Sequence, residues 1–159
     1  MGLAVCALAA LFWPRGEGTA PAGLLLDANG RSATLGSRLT PVSLVHFWAT
    51  WCPPCLTEIP ALQRLAGDLR GEHGFGVVLV AVADDREKVR GLLGEAGNSV
   101  LHDTDWEVAR RYGTRKLPET YLVIRGEVVE KWAGSTDWDD PAVRAKLRAH
   151  VAGAGKPKA

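Results

Sequence analysis

Val42-Ser43-Leu44-Val45-His46-Phe47-Trp48 runs through Ala49-Thr50 into Trp51-Cys52-Pro53-Pro54-Cys55 and on into Leu56-Thr57-Glu58-Ile59-Pro60. Residues 42–48 are a nearly continuous apolar run between Pro41 and the cysteine pair, which predicts a strand covered on both faces. Beyond the cysteines, Ile59, Leu62, Leu65, Ala66 and Leu69 recur at helical spacing, so 58–69 reads as helix. Pro53 suits a first helical turn, where a missing N–H costs little, whereas Pro60 is expected to kink the same helix. Two cysteines at this spacing, between a strand and a helix, are the signature of a redox pair. A thiol at a helix N-terminus faces unpaired N–H groups and the positive end of the dipole, both of which favour the thiolate. The thiolate is the species that attacks disulfides.

Outward from that segment, strands alternate with helices. Leu24–Leu26 and Ser32–Leu35 read as a hairpin on Asn29-Gly30. Residues 76–83 form a second buried strand, followed by a helix over 86–96, a short strand at 100–101 and a helix over 105–112. Tyr121–Ile124 and Val128–Trp132 flank a Gly126-Glu127 turn, and 141–151 closes the domain as an amphipathic helix. The pattern predicts an α/β domain over 23–152, with a mixed central sheet flanked by helices. The apolar stretch within 1–14 runs only from Leu3 to Trp13, about 16 Å of helix against the roughly 30 Å of a bilayer core. It reads as a signal- or anchor-like segment, with 15–22 a linker and 153–159 a polar tail.

The chain has 159 residues, enough for one domain at about 150 residues each. Nineteen Lys and Arg against eighteen Asp and Glu leave a net charge of +1, which speaks against a nucleic-acid binder. Three cysteines exclude a disulfide-rich scaffold and leave Cys6 over, an apolar cysteine in the leading segment. A zinc site would want four ligands, but no second Cys-x-x-Cys or closely spaced His pair exists, so no metal is expected. His73, His102 and His150 stand singly and read as surface or satisfied residues. Trp106, Trp132 and Trp138 read as core or rim, and Asp137, Asp139 and Asp140 as a turn and a helix start.

Phe47 to Pro60 resembles the active-site segment of the TlpA/ResA type of bacterial extracytoplasmic thiol–disulfide oxidoreductases, including the cytochrome c maturation reductases. These belong to the thioredoxin superfamily. Tyr112-Gly113-Thr114-Arg115-Lys116-Leu117-Pro118-Glu119-Thr120-Tyr121-Leu122 resembles the second motif of that family. The resemblance implies a thioredoxin fold with an N-terminal β-hairpin and a strand–helix insertion at about 76–97. It implies that Cys52 attacks a target disulfide and Cys55 resolves the mixed disulfide, with Trp51, Pro53, Pro54 and Glu58 in support. Pro118 would be the cis-proline beside the pair, with Leu117, Glu119 and Thr120 lining the substrate groove. The dithiol itself would be the redox centre, with no bound cofactor. The partners implied are protein disulfides, apocytochrome c among them, and a membrane or periplasmic thiol donor. The implied location is periplasmic or on the outer membrane face, with the N-terminus as a candidate anchor.

Two rival functions share the motif. A metal-binding chaperone could carry copper or zinc on Cys-x-x-Cys. A thiol peroxidase needs Thr or Ser three residues before its reactive Cys, and Ala49 stands there. Two residues depart from the family pattern: Lys116, where a small residue is usual, and His46, where Asn or Asp is usual. Strand alternation puts His46 on the face of Leu44 and Trp48, beneath the active-site helix. It is expected to be neutral at pH 7, either to accept the Cys55 proton or as a core histidine held by a backbone carbonyl. With Cys52 at the helix end and Cys55 a turn inside, iodoacetamide at neutral pH should label Cys52 of the reduced protein well before Cys55. Equal rates, or the reverse order, would contradict that division.

Overall fold

A computed structural model describes residues 20–72 and 74–154. The apolar segment 1–14 with Cys6, most of the 15–22 linker, His73 and residues 155–159 lie outside them. Strands β1 (Leu24–Leu26), β2 (Ser32–Thr34), β3 (Val42–Trp48), β4 (Phe75–Val82), β5 (Leu101–Asp103), β6 (Glu119–Ile124) and β7 (Glu127–Ala133) form one sheet in the order β2-β1-β5-β4-β3-β6-β7. β3 pairs in parallel with β4 and antiparallel with β6, and every one of its seven residues is buried. Helices α1 (Pro53–Asp68), α2 (Arg86–Leu93), α3 (Glu107–Arg111) and α4 (Pro141–Ala154) connect and cover the strands.

Alternation along β3 divides the core. Val45 and Phe47 join Val78, Val80, Tyr121 and the α3 residues Val108 and Ala109 on one face. Leu44 packs on the other with Leu62 and Leu65 of α1 and Leu147 and Val151 of α4. Trp48 continues that second face toward Cys55, Ile59 and Val89 of α2. A continuously apolar strand is thus the consequence of helices on both sides of the sheet.

Several boundaries move for local reasons. The helix after 86 ends at Leu93, because Gly94 takes φ +57°, and continues only as a 3-10 turn over 94–99. α3 starts two residues later than expected, behind Trp106 at φ +62°. The β6–β7 turn falls on Arg125-Gly126, both at positive φ, one residue before the expected Gly126-Glu127. Asp27 shapes the first hairpin: its carboxylate accepts the N–H groups of Asn29 and Arg31, making a longer loop than a two-residue Asn-Gly turn. α4 runs on through Gly153 and Ala154, which the composition assigns to the tail. Residues read as linker also touch the domain, since Ala20 N–H donates to the Gly126 carbonyl and Arg111 to that of Ala22. The 76–97 segment supplies most of β4, then α2 and part of the 3-10 turn, and β4 lies in mid-sheet beside β3.

Candidate active site

β3 ends at Trp48, and four residues later Cys52 caps the start of α1, with Pro53 and Pro54 in its first turn. The first turn of the helix is therefore poor in donors: neither proline has an N–H. The next one, on Cys55, donates to the Cys52 carbonyl at 3.0 Å. Cys52 and Cys55 are joined as a disulfide with 5.3 Å between Cα atoms, within the ordinary span. Cys52 is 6% exposed and Cys55 fully buried. Beside them Trp51 is 56% exposed, its indole N–H donating to the Ala83 carbonyl at 3.1 Å.

Between β3 and α1 lies a buried polar group. His46 is fully buried, with Nδ1 2.8 Å from the Thr120 hydroxyl and 3.7 Å from Glu58 Oε2. Nε2 has no partner among the described residues. Burial pulls the imidazole pKa down to about 3, so it is neutral at pH 7 and its contact with Glu58 is not an ion pair. The anchor is a side-chain hydroxyl and not a backbone carbonyl. Glu58 is buried too, accepting the Thr136 N–H at 2.5 Å and the Trp138 indole N–H at 3.0 Å. Desolvation raises its pKa against the opposing pull of these bonds.

The Leu117–Pro118 peptide is cis, and Leu117 packs against the cluster that holds both cysteines. Glu119 and Thr120, expected to line a groove, bury their side chains. Glu119 accepts from Lys131 at 2.7 Å and from the Tyr121 hydroxyl at 3.0 Å, and Thr120 faces His46. Lys116 is exposed. The sequence reading misses the roles of Thr50 and Asp84, and it places Trp138 in the core, where it is, without its bond to Glu58. Thr50 N–H and hydroxyl both donate to Asp84, at 2.5 and 2.7 Å. The usable signal was an acid directly after a strand in an α/β sheet, where sites gather at the carboxyl ends of strands. His102 is neither a surface nor a satisfied residue. It is buried, both ring nitrogens lack partners among the described residues, and it borders a cleft of about 510 Å³ beside Asp84. Among the described residues no cluster of three or more His, Cys, Asp or Glu could hold a metal, and no helix is long and apolar enough to cross a membrane.

The family model described as Redoxin matches residues 16–147. The thiol–disulfide oxidoreductase ResA of Halalkalibacterium halodurans is 31% identical over 114 residues, 70% of this chain and 64% of that protein. The thiol:disulfide interchange protein DsbE homolog of Paracoccus denitrificans is 35% identical over 97 residues, 58% of this chain and 51% of that one. The chain thus spans between half and two thirds of the length of these curated relatives. The exposed lipoprotein thioredoxin Etrx1 of Streptococcus pneumoniae superposes with a TM-score of 0.65. That match covers 81% of this chain and 99% of the other at 21% identity, and it shows that the fold is the thioredoxin fold.

The buried pair makes stability depend on pH in two opposite senses. Below about 6.5 the unfolded His46 takes a proton that the folded one refuses until about pH 3, so this residue costs stability as pH falls through that window. The slope reaches about 1.4 kcal/mol per pH unit. Glu58, raised, binds its proton more readily when folded, and so stabilises on the acid side and loses that contribution as pH rises past its folded value. In urea unfolding between pH 4 and 7, His46→Asn should flatten the acid loss relative to wild type and Glu58→Gln should steepen it. Three parallel curves would contradict both assignments.

Proposed function

The chain belongs to the Redoxin family, and from that premise we propose that it is a protein thiol–disulfide oxidoreductase of the ResA and DsbE type, acting as a reductant outside the cytoplasm. The observation that carries this is the Cys52–Cys55 disulfide at the start of α1, beside the exposed Trp51 and the cis-Pro118. In the reduced protein the Cys52 thiolate attacks one sulfur of a target disulfide and expels the other as a thiolate, leaving a mixed disulfide. Cys55 then gives up its proton and attacks the Cys52 sulfur, which releases the second substrate thiol and restores the Cys52–Cys55 bond. Two electrons pass to the substrate, and a membrane or periplasmic thiol donor returns them.

The directions of the two shifts decide which group takes the Cys55 proton. Burial holds the His46 imidazole far below its ordinary range, which makes it a poor acceptor. Glu58 stands three residues after Cys55 on the same helix, within reach of that face, and its raised pKa narrows the gap to the thiol. Glu58 is therefore the acceptor in this reading. Neutral His46 and Thr120 form the polar floor that fixes it, and Trp51, Pro53, Pro54 and Leu117 shape the mouth. Pro118 shapes the groove wall.

The substrate class in this reading is a pair of cysteines in an unfolded or extended protein, with the haem-attachment pair of apocytochrome c the leading candidate. The names of the relatives and the apolar segment 1–14 support export, with the N-terminus as signal or anchor. Insulin reduction in the presence of dithiothreitol, run beside titration with copper and zinc, tests the activity against metal carriage. Turnover is expected, whereas a stoichiometric metal complex without turnover would sink the proposal. With Cys55 as resolving thiol, Glu58→Gln should slow resolution of a preformed mixed disulfide about tenfold or more at pH 6 to 7, as loss of a general base does. His46→Asn should change the same rate less than about threefold. Stopped-flow fluorescence reads both rates, and the opposite ranking would return the proton to His46.

A further inference from the structure

We propose that Asp84 is a positioning residue, whose carboxylate locks Thr50 and so sets how Trp51 and Cys52 meet a protein substrate. The proposal rests on the thiol–disulfide exchange argued above. Thr50 lies in the irregular stretch between β3 and α1, where a backbone N–H has no strand partner and must find one elsewhere. Asp84 supplies it from 34 residues away: Oδ2 accepts the Thr50 N–H at 2.5 Å and Oδ1 accepts the Thr50 hydroxyl at 2.7 Å. The Asp85 N–H adds a third donor to Oδ1 at 2.9 Å. Three donors converging on two oxygens suit an acceptor-only, charged group.

The residue before Asp84 holds the residue after Thr50. The Ala83 carbonyl takes the Trp51 indole N–H at 3.1 Å. Ala83 itself sits at φ +47°, uncommon for a residue with a Cβ, and its N–H donates to the Asp103 carbonyl at 3.0 Å. Asp103 is buried, and its carboxylate accepts the Ala109 N–H of α3 at 2.7 Å. Two consecutive residues past β4 therefore grip two consecutive residues ahead of the cysteine pair, and the grip is tied back into β5 and α3. Tethered at one edge and 56% exposed, the Trp51 ring becomes a fixed apolar plate next to Cys52. A small dithiol needs no plate to reach the sulfur, but a polypeptide must lie against it.

The test is a split between substrates. Asp84→Ala should lower kcat/KM for reduction of insulin about tenfold, in keeping with the cost of small misplacements, and leave the rate of reduction of Cys52–Cys55 by dithiothreitol within a factor of two. Asp84→Asn should recover part of the loss but not all of it, because its amide oxygen can accept the Thr50 N–H and its NH₂ can donate to the Thr50 hydroxyl, while the Asp85 N–H loses its acceptor. A role through charge alone would impair Ala and Asn equally and shift the pH profile of Cys52 alkylation equally in both. Thr50→Val should show a smaller version of the same split and add nothing to Asp84→Ala, since the Thr50 hydroxyl has then already lost its acceptor. Should Asp84→Ala fail to fold, Asp84→Asn and Thr50→Val carry the test. Wild-type insulin turnover left unchanged by Thr50→Val, equal losses with both substrates, or no rescue by Asn would overturn the proposal. Absence of turnover in the wild type would instead refute the exchange reading on which it rests.

Discussion

The site depends on one constraint: β3 is buried along all seven residues and hydrogen-bonded on both edges, and the chain must leave it at Trp48. A strand gripped that firmly cannot slip register, because a one-residue shift would turn Leu44, His46 and Trp48 to the opposite face. Its carboxyl end therefore delivers Cys52 to a fixed place. In the proposed exchange, the Asp84 bracket on Thr50 and the cis peptide before Pro118 would frame a point the sheet has already set.

The same burial makes the polar residues between β3 and α1 costly, and the fold meets the cost unevenly. Glu58 keeps two strong donors from the segment before α4, while His46 keeps one partner and one unpartnered nitrogen among the described residues. A buried carboxyl that holds its proton more tightly than usual, beside a neutral imidazole, is a polar cluster without a full ion pair. Buried groups with shifted titration gather at functional sites. Here Glu58 stands one helical turn from Cys55, and His46 meets both Glu58 and Thr120.

Much of this was legible in the sequence where the signal is local. The apolar run of β3, the helical spacing after Cys55 and the terminal hairpin each have a periodicity that one window contains. His46 could be placed under α1 by alternation alone, and its neutrality followed from burial. What could not be read were contacts that join distant segments. Glu58 meets Trp138 across 80 residues and Thr50 meets Asp84 across 34, and neither pairing leaves a trace in spacing. The inward turn of Glu119 and Thr120 was hidden for a related reason: a position next to a cis-proline fixes the backbone, while the side chains follow their strand partners inward. Gly94 and Trp106 moved helix ends through positive φ values that propensity does not forecast.

The proposed role of the Cys52–Cys55 pair is that of a reductant. Its reduced thiolate gains the helix dipole but lacks the first-turn N–H groups that would stabilise it further, since two are proline and the third serves the Cys52 carbonyl. Less stabilisation of the reduced form means a lower potential. Known pairs range from about −270 mV for thioredoxin to about −120 mV for the oxidant DsbA, a span of about 7 kcal/mol for two electrons. Equilibration in glutathione or dithiothreitol redox buffers, read by alkylation and mass, measures the potential directly. A two-electron transition below about −200 mV is expected of a reductant, whereas a value near −120 mV would make the pair an oxidant.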